Sequence, residues 1–266
     1  MWDPGNDINT KPRVVLLGAG NVATSLAPAL RGKCEIVQIF SRTLAHAQEL
    51  VERCGCGTVV DSLREVTPEA DVYVLSVKDD AIAQVAAAVA GGEKALWIHT
   101  SGSTPVDAIA GKGALYGAIH PMQSFSKELP VDMATVHLFV EGNNEQGTEA
   151  VCRFARLLSP HVHPVTWRQR ERLHVAAVFA CNFANHMFTL SSEVLQEVGL
   201  PFDPMLPIIE GTVEKLRHLA PAESQTGPAA RRDMAVLRRH LESLSGDKRE
   251  IYKLVSQSII NHASKS

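Results

Sequence analysis

The sequence predicts an α/β protein in which a doubly wound parallel sheet is followed by an all-helical C-terminal domain. Three observations lead there. Short apolar, β-branched runs alternate with amphipathic helical patterns from Val14 to about residue 140. A Gly-Ala-Gly turn stands where the first of those runs gives way to a helix. Past Pro164 the strand texture stops and long helical periodicities take over.

The strand candidates are "RVVLLGA", "CEIVQIF", "DVYVLSV", "ALWIHTS", "LYGAIH" and "HLFVEG". Their near-continuous apolar character suits strands covered on both faces, as parallel strands are. Helical patterns such as "LAHAQELVERC" and "DDAIAQVAAAVAGG" separate them. Right-handed crossovers then bring the C-terminal ends of the strands to one edge. After Pro164, "WRQRERLHVAAVFACNFANHMFTLSSEVLQEVGL" reads as one long helix closed by Gly199 and Pro201. "PMLPIIEGTVEKLRHLA", "ARRDMAVLRRHLESLSG" and "KREIYKLVSQSIINHA" continue the helical part. The expected division is 12–165 for the α/β domain and 166–266 for the helical one.

Composition narrows the function classes. The 266 residues carry a formal charge of -3 and are 45% hydrophobic. A near-neutral chain offers no broad basic field, so nucleic acid is not an expected partner. No uninterrupted apolar run reaches the ~20 residues of a membrane span. The opening "MWDPGNDINTK" is polar and reads as a loose leader. Cys34, Cys54, Cys56, Cys152 and Cys181 are scattered, and Cys54-Gly-Cys56 has one intervening residue where metal and redox pairs have two. Reduced thiols, a cytoplasmic location and no metal site are expected.

The glycine turn carries the first chemistry. Gly18, Ala19 and Gly20 follow the first strand and open a helix whose free amides and dipole favour a pyrophosphate. Gly18 allows the tight turn, Gly20 lets backbone approach phosphate, and Ala23 is small enough for close helix–strand packing. This is the Rossmann dinucleotide pattern. Where NAD enzymes offer an acid to the ribose, about 20 residues on, this chain has Ser41-Arg42-Thr43. A guanidinium flanked by two hydroxyls suits a 2′-phosphate and selects NADP. The plainer reading makes Ser41 a helix cap and Arg42 a solvated side chain.

Other strand ends add candidates, each with a plainer alternative. Val77 and Lys78 follow the "VYVLS" strand and are placed along the cofactor, while Asp79 either serves the site or caps a helix. Thr100 and Ser101 belong to "HTSGSTPVDAI", where hydroxyls and amides could hold a substrate carboxylate or carbonyl. The same segment reads equally as a helix start, with Thr104 as cap, Pro105 as first helical residue and Asp107 completing a capping box. His120 is either an acid/base or orienting group, or a packing histidine. On the long helix, His174, Cys181 and Asn185 share a stripe at ~100° per residue, with Arg170 about 40° and Asn182 roughly 80° away. Polar groups amid apolar neighbours require partners, whether a site, a core network or a subunit contact. Arg231 either clamps an acidic substrate or pairs with Asp233.

Taken together, "GAGNVA", "SRT", "SVKDDAI", "HTSGS", "HPMQSF", "RERLHVAAVFACNFANH" and "TGPAARRD" resemble a group of NADP oxidoreductases with a Rossmann-like N-terminal domain and an uncharacterised helical C-terminal domain. That group is similar to pyrroline-5-carboxylate reductases and, more distantly, to ketopantoate reductases and 6-phosphogluconate-type dehydrogenases. The resemblance implies NADP(H) held by Gly18, Gly20, Asn21, Val22, Ser41, Arg42 and Thr43. It also implies a cleft between domains and a homodimer formed through the helices. Hydroxyacid and ketopantoate members place a catalytic lysine on the first long helix; here Arg170, Arg172 and His174 occupy that region. "SQTGPAAR" matches the Thr/Ser-rich segment of pyrroline reductases only loosely. The expected activity is NADP-dependent hydride transfer to or from a small carbonyl, imine or alcohol. His174 and His120 are the acid/base candidates, Asn182 positions the substrate, and Thr100, Ser101 and Arg231 bind its polar end. The alternatives are an NADP-binding sensor without turnover and a site for another dinucleotide-like ligand.

Overall fold

The computed structural model describes residues 11–263, so the polar leader falls outside the described residues except for Lys11. Two compact units divide the chain, Met1–Cys181 and Asn182–Ser266.

The first unit is built on a sheet of eight strands: β1 (Arg13–Leu17), β2 (Glu35–Phe40), β3 (Thr58–Val60), β4 (Val72–Leu75), β5 (Leu96–His99), β6 (Leu115–Pro121), β7 (Leu138–Gly142) and β8 (Val162–Pro164). Their order is β3-β2-β1-β4-β5-β6-β7-β8. All neighbours run parallel except β6 and β7, which pair antiparallel. The reversal of winding between β1 and β4 creates the switch point at which open α/β sheets bind ligands. The six expected strands are all present; β3 and β8 are additions.

Alternation along β1 explains why the sheet is covered on both sides. Val14 and Leu16 face one core with Ala23, Leu26 and Leu30 of α1 (Asn21–Leu30), Leu50 of α2 (Leu44–Cys54) and Phe154 of α4 (Glu145–Arg156). Val15 and Leu17 face the other core with Ile82 and Val85 of α3 (Ile82–Ala88) and the stacked pair Tyr73 and Trp97. Ala23 is fully buried, as close helix–strand packing requires.

The long helical stretch is not uniform. α5 (Trp167–Ala177) passes through a π-helical segment, Val178–Phe183, into α6 (Ala184–Gln196). A π turn breaks the 3.6-residue period, so the ~100° step that grouped His174 with Cys181 and Asn185 does not hold across it. The compact units divide inside this segment, and α5 is tied to β7 and to the loop after β5 through Arg170. By length and composition the helix Trp167–Gln196 is able to cross a membrane. Its mean hydropathy reaches 1.2 over 18 residues, none of that window being buried. It also carries Asn182, Asn185 and His186.

The second unit holds α6, α7 (Leu206–Lys215), α8 (Met234–Ser243) and α9 (Gly246–Ala263). Among its described residues only Ala229 and Leu237 are buried.

Candidate active site

The site begins with backbone register. Gly18 N donates to Phe40 O, Ser41 N to Val60 O, Ser76 N to Leu17 O and Thr100 N to Leu75 O. These bonds level the C-terminal ends of β1 to β5, so Gly18, Ser41, Ser76 and Thr100 share one edge.

At the centre of that edge Gly18 has φ +118°, and a Cβ there would lie 2.5 Å from the Ser76 carbonyl oxygen. Glycine is therefore obligatory on two counts, conformation and space. A Cβ on Gly20 would meet nothing nearer than 3.9 Å, so the space in front of it is open. Gly20 caps α1 without any side-chain hydrogen bond, and no acid stands in the first turn. The amides of that turn consequently face outward with the positive end of the helix dipole. Asn21 donates its side chain to Phe125 O at 3.1 Å. Beside it, Ser41 is buried and its hydroxyl accepts from Thr43 N at 3.2 Å, while Arg42 and Thr43 are exposed. Thr43, not Ser41, occupies the cap position of α2. Val77 is half-buried and Lys78 exposed at the end of β4.

Further along the edge the loop 100–105 is organised by its own hydroxyls and by one arginine. Ser101 Oγ accepts from the amides of Ser103 and Thr104 and donates to Thr104 Oγ1 at 2.9 Å. Thr100 Oγ1 donates to Leu75 O at 3.3 Å. The helix expected at Thr104 is reduced to a single turn of 3-10 helix, Val106–Ile109. Pro105 caps it, and Asp107 accepts from the Tyr116 hydroxyl instead of completing a capping box. Asp79 likewise does not cap α3; its carboxylate accepts from Ser103 Oγ.

Arg170 of α5 is completely buried. Its Nε donates to Glu141 Oε2 at 2.9 Å, Nη1 to Ser101 O at 2.6 Å and Nη2 to Thr104 O at 2.8 Å. The guanidinium also lies 4.9 Å from the Trp167 ring. This fork satisfies both carbonyls of the loop and neutralises its charge against Glu141.

The loop so held carries Gly102, whose would-be Cβ meets His120 Cε1 at 2.6 Å and His174 Nδ1 at 2.8 Å. The two imidazoles stand edge to face with centroids 5.6 Å apart. Sequence reasoning proposed each of them separately; the fold brings them together. Burial first, then His174 and Arg170, push the His120 pKa down to about 4. Burial and Arg170 push that of His99, on β5, down to about 3. Both rings are neutral at physiological pH, and the Nε2 atom of His120 is buried without a hydrogen-bond partner among the described residues.

Residues 13–99 match the family described as NADP oxidoreductase coenzyme F420-dependent, and residues 136–259 match a domain of unknown function, DUF2520. The putative NADP oxidoreductase BF3122 from Bacteroides fragilis is 41% identical, over 94% of this chain and 98% of that one, with a TM-score of 0.88. The chain belongs to this NADP oxidoreductase family. The oxidoreductase also shares its fold with a pyrroline-5-carboxylate reductase from Coxiella burnetii. That structure is 17% identical over 96% of this chain and 98% of the other, with a TM-score of 0.55. A reductive aminase from Aspergillus terreus, solved with NADPH and ethyl levulinate, is 13% identical over 96% and 98% of the two chains, with a TM-score of 0.69. No curated protein matches the oxidoreductase by sequence.

Two candidates belong to the second unit. Asn182 is exposed within the π segment. Arg231 is exposed in the turn before α8, which starts only at Met234, so it does not sit in a helical first turn. Asp233 caps that helix by accepting from Val236 N at 3.2 Å, and no Arg231–Asp233 ion pair forms among the described residues. Sequence reasoning missed Glu141, the clamp role of Arg170, and His99. Nothing in the sequence pairs Arg170 with a residue 29 positions earlier.

Two measurements follow from this geometry. Arg170→Met leaves Glu141 and two carbonyls without their donor, and urea denaturation followed by circular dichroism is expected to show a loss of about 3–5 kcal/mol. A loss below about 1 kcal/mol would mean that the loop finds other donors. Because folded His99 and His120 bind protons less readily than unfolded histidine, stability is flat above about pH 6.5 and declines as the pH falls towards about 4. The decline should be shallower in His99→Asn and His120→Asn; unchanged slopes would contradict the assignment.

Proposed function

We propose that the protein transfers a hydride between NADP(H) and a small carbonyl, imine or alcohol carbon. The observation that carries the proposal is the uncapped, acid-free first turn of α1 directly after Gly18. The residues fit the coenzyme. Gly18, Ala19, Gly20, Asn21 and Val22 line its pyrophosphate with backbone, and Gly20 leaves the approach open. Ser41, Arg42 and Thr43 receive the 2′-phosphate, with no acid in the first turn of α2 to repel it. Val77 and Lys78 flank its far half. When bound, the reduced coenzyme supplies the hydride.

The protein's own groups orient the substrate and handle the proton. His120, neutral at working pH, donates or accepts a hydrogen bond and does not store a proton. His174 is the proton donor to the oxygen or nitrogen that gains charge, and the receiver in the reverse direction. Ser101 and Thr100 shape the substrate end of the edge, since their hydroxyls and their amides are all engaged in hydrogen bonds within the protein. Asn182, as a residue that positions substrate, and Arg231, as one that binds a polar or anionic group, remain candidates on the second unit. The arrangement supports a pyrroline-5-carboxylate reductase-like imine reduction; with Arg170 committed to Glu141 and no lysine on α5, a lysine-based mechanism like that of ketopantoate reductase has less support.

The helical unit supports a homodimer: Met187, Val194, Leu206, Ile208, Val213 and Leu254 are exposed, and two buried residues cannot stabilise four helices alone. Five free cysteines suit a cytoplasmic location.

Calorimetric titration tests the coenzyme. Wild type is expected to bind NADPH at least about tenfold tighter than NADH, with Arg42→Ala abolishing most of the difference; no heat with either would overturn the reading. Against keto acids, cyclic imines and aldehydes, NADPH consumption is expected, falling about 10²-fold or more in His174→Ala and less in His120→Ala. Binding without consumption across the panel favours a sensor. Light scattering on a sizing column is expected to give twice the chain mass, and a monomer at micromolar concentration would refute the dimer.

A further inference from the structure

A second histidine group lies on the same unit, outside the proposed active site. Parallel pairing of β7 with β8 sets Phe139 beside His163, and Leu138 N donates to His161 O at 2.8 Å. The preceding residue, His137, is thereby placed between the side chains of His161 and His163. Its ring is nearly parallel to both, with centroids 4.8 Å from His161 and 5.0 Å from His163. His137 Nδ1 and His163 Nε2 are 2.9 Å apart. β8 ends the sheet, His137 and His161 are exposed, and His163 is half-buried against Phe139 at 5.1 Å.

We propose that His137 and His163 form a binding site for a divalent transition-metal ion, with His161 recruited as a third ligand. Imidazole nitrogens bind such ions at about 2.0–2.1 Å. Two of them at a right angle are then about 2.9 Å apart, and at a tetrahedral angle about 3.3 Å. The observed separation of 2.9 Å already falls within reach of one bridging ion. No three ligating side chains converge on one point among the described residues, so binding is not to a finished cage. The proton shared between the two facing nitrogens moves to the far nitrogen of its own ring, and the rings pivot to aim both lone pairs at the ion. No proton is lost from neutral imidazoles in that exchange. Exposure of two of the three rings leaves both the pivot and the approach of the ion unobstructed. Phe139 backs His163 and limits its rotation.

The test uses the full, tag-free chain titrated with Ni²⁺ alone in a calorimeter. One ion per chain is expected, with His137→Ala and His163→Gln each weakening affinity about tenfold or more and His161→Ala about threefold. His218→Ala, on an exposed histidine of the second unit, should bind as wild type does. Circular dichroism and NADPH affinity should be unchanged in all four variants, which separates this site from the coenzyme site. Absence of heat up to about 1 mM Ni²⁺, or wild-type affinity in His137→Ala/His163→Gln, would overturn the proposal.

Discussion

A single buried guanidinium organises the histidine-bearing end of the sheet edge. Arg170 comes from a helix that follows the last strand, yet its three hydrogen bonds end on β7 and on the loop after β5. Burying a cation is costly unless charge and hydrogen bonds are both answered, and here Glu141 answers the first and two carbonyls the second. The consequence is geometric. Ser101 and Thr104 are fixed, Gly102 between them is fixed, and the two imidazoles packed against Gly102 inherit their places. Burial is the main reason that His99 and His120 resist protonation, with His174 adding to it at His120, and the same guanidinium charge adds to it at both rings.

The other half of the edge depends on backbone alone. Levelled strand ends bring the Ser76 carbonyl so close to Gly18 that no side chain fits there. What remains in front of α1 is main chain with unspent donors, a surface suited to an anion and to little else. The α1 end of the edge thus presents main-chain donors, while the other end presents neutral rings and inward-turned hydroxyls.

How much of this was readable beforehand follows from physical range. Strands buried on both faces are apolar throughout, so six of them stood out; β3 and β8, three residues each and with Thr58 or Pro164 among them, lack enough periodicity to be seen. The glycine turn was legible because its meaning is local: strand, tight turn, helix. Ser41-Arg42-Thr43 is an equally local pattern, standing between β2 and α2. His120 and His174 could each be suspected as polar groups in apolar settings, but their meeting required the fold. Arg170 was noticed only as one of several charges on a helix, because its partners are 29, 66 and 69 residues away. Helix caps were overestimated: Thr104 and Asp79 have capping chemistry, but side-chain partners across the loop, Ser101 and Ser103, engage them first.

The π segment at Val178–Phe183 has a consequence for how this helix is compared between proteins. A wide turn absorbs one surplus residue without breaking the rod, and each residue rotates the chain by ~100°. Everything downstream of it is therefore out of phase with a regular helix of the same composition. A homologue lacking the surplus residue would turn a different flank of α6 outward even with an identical downstream sequence. Ungapped alignment through this stretch would equate side chains that point in different directions.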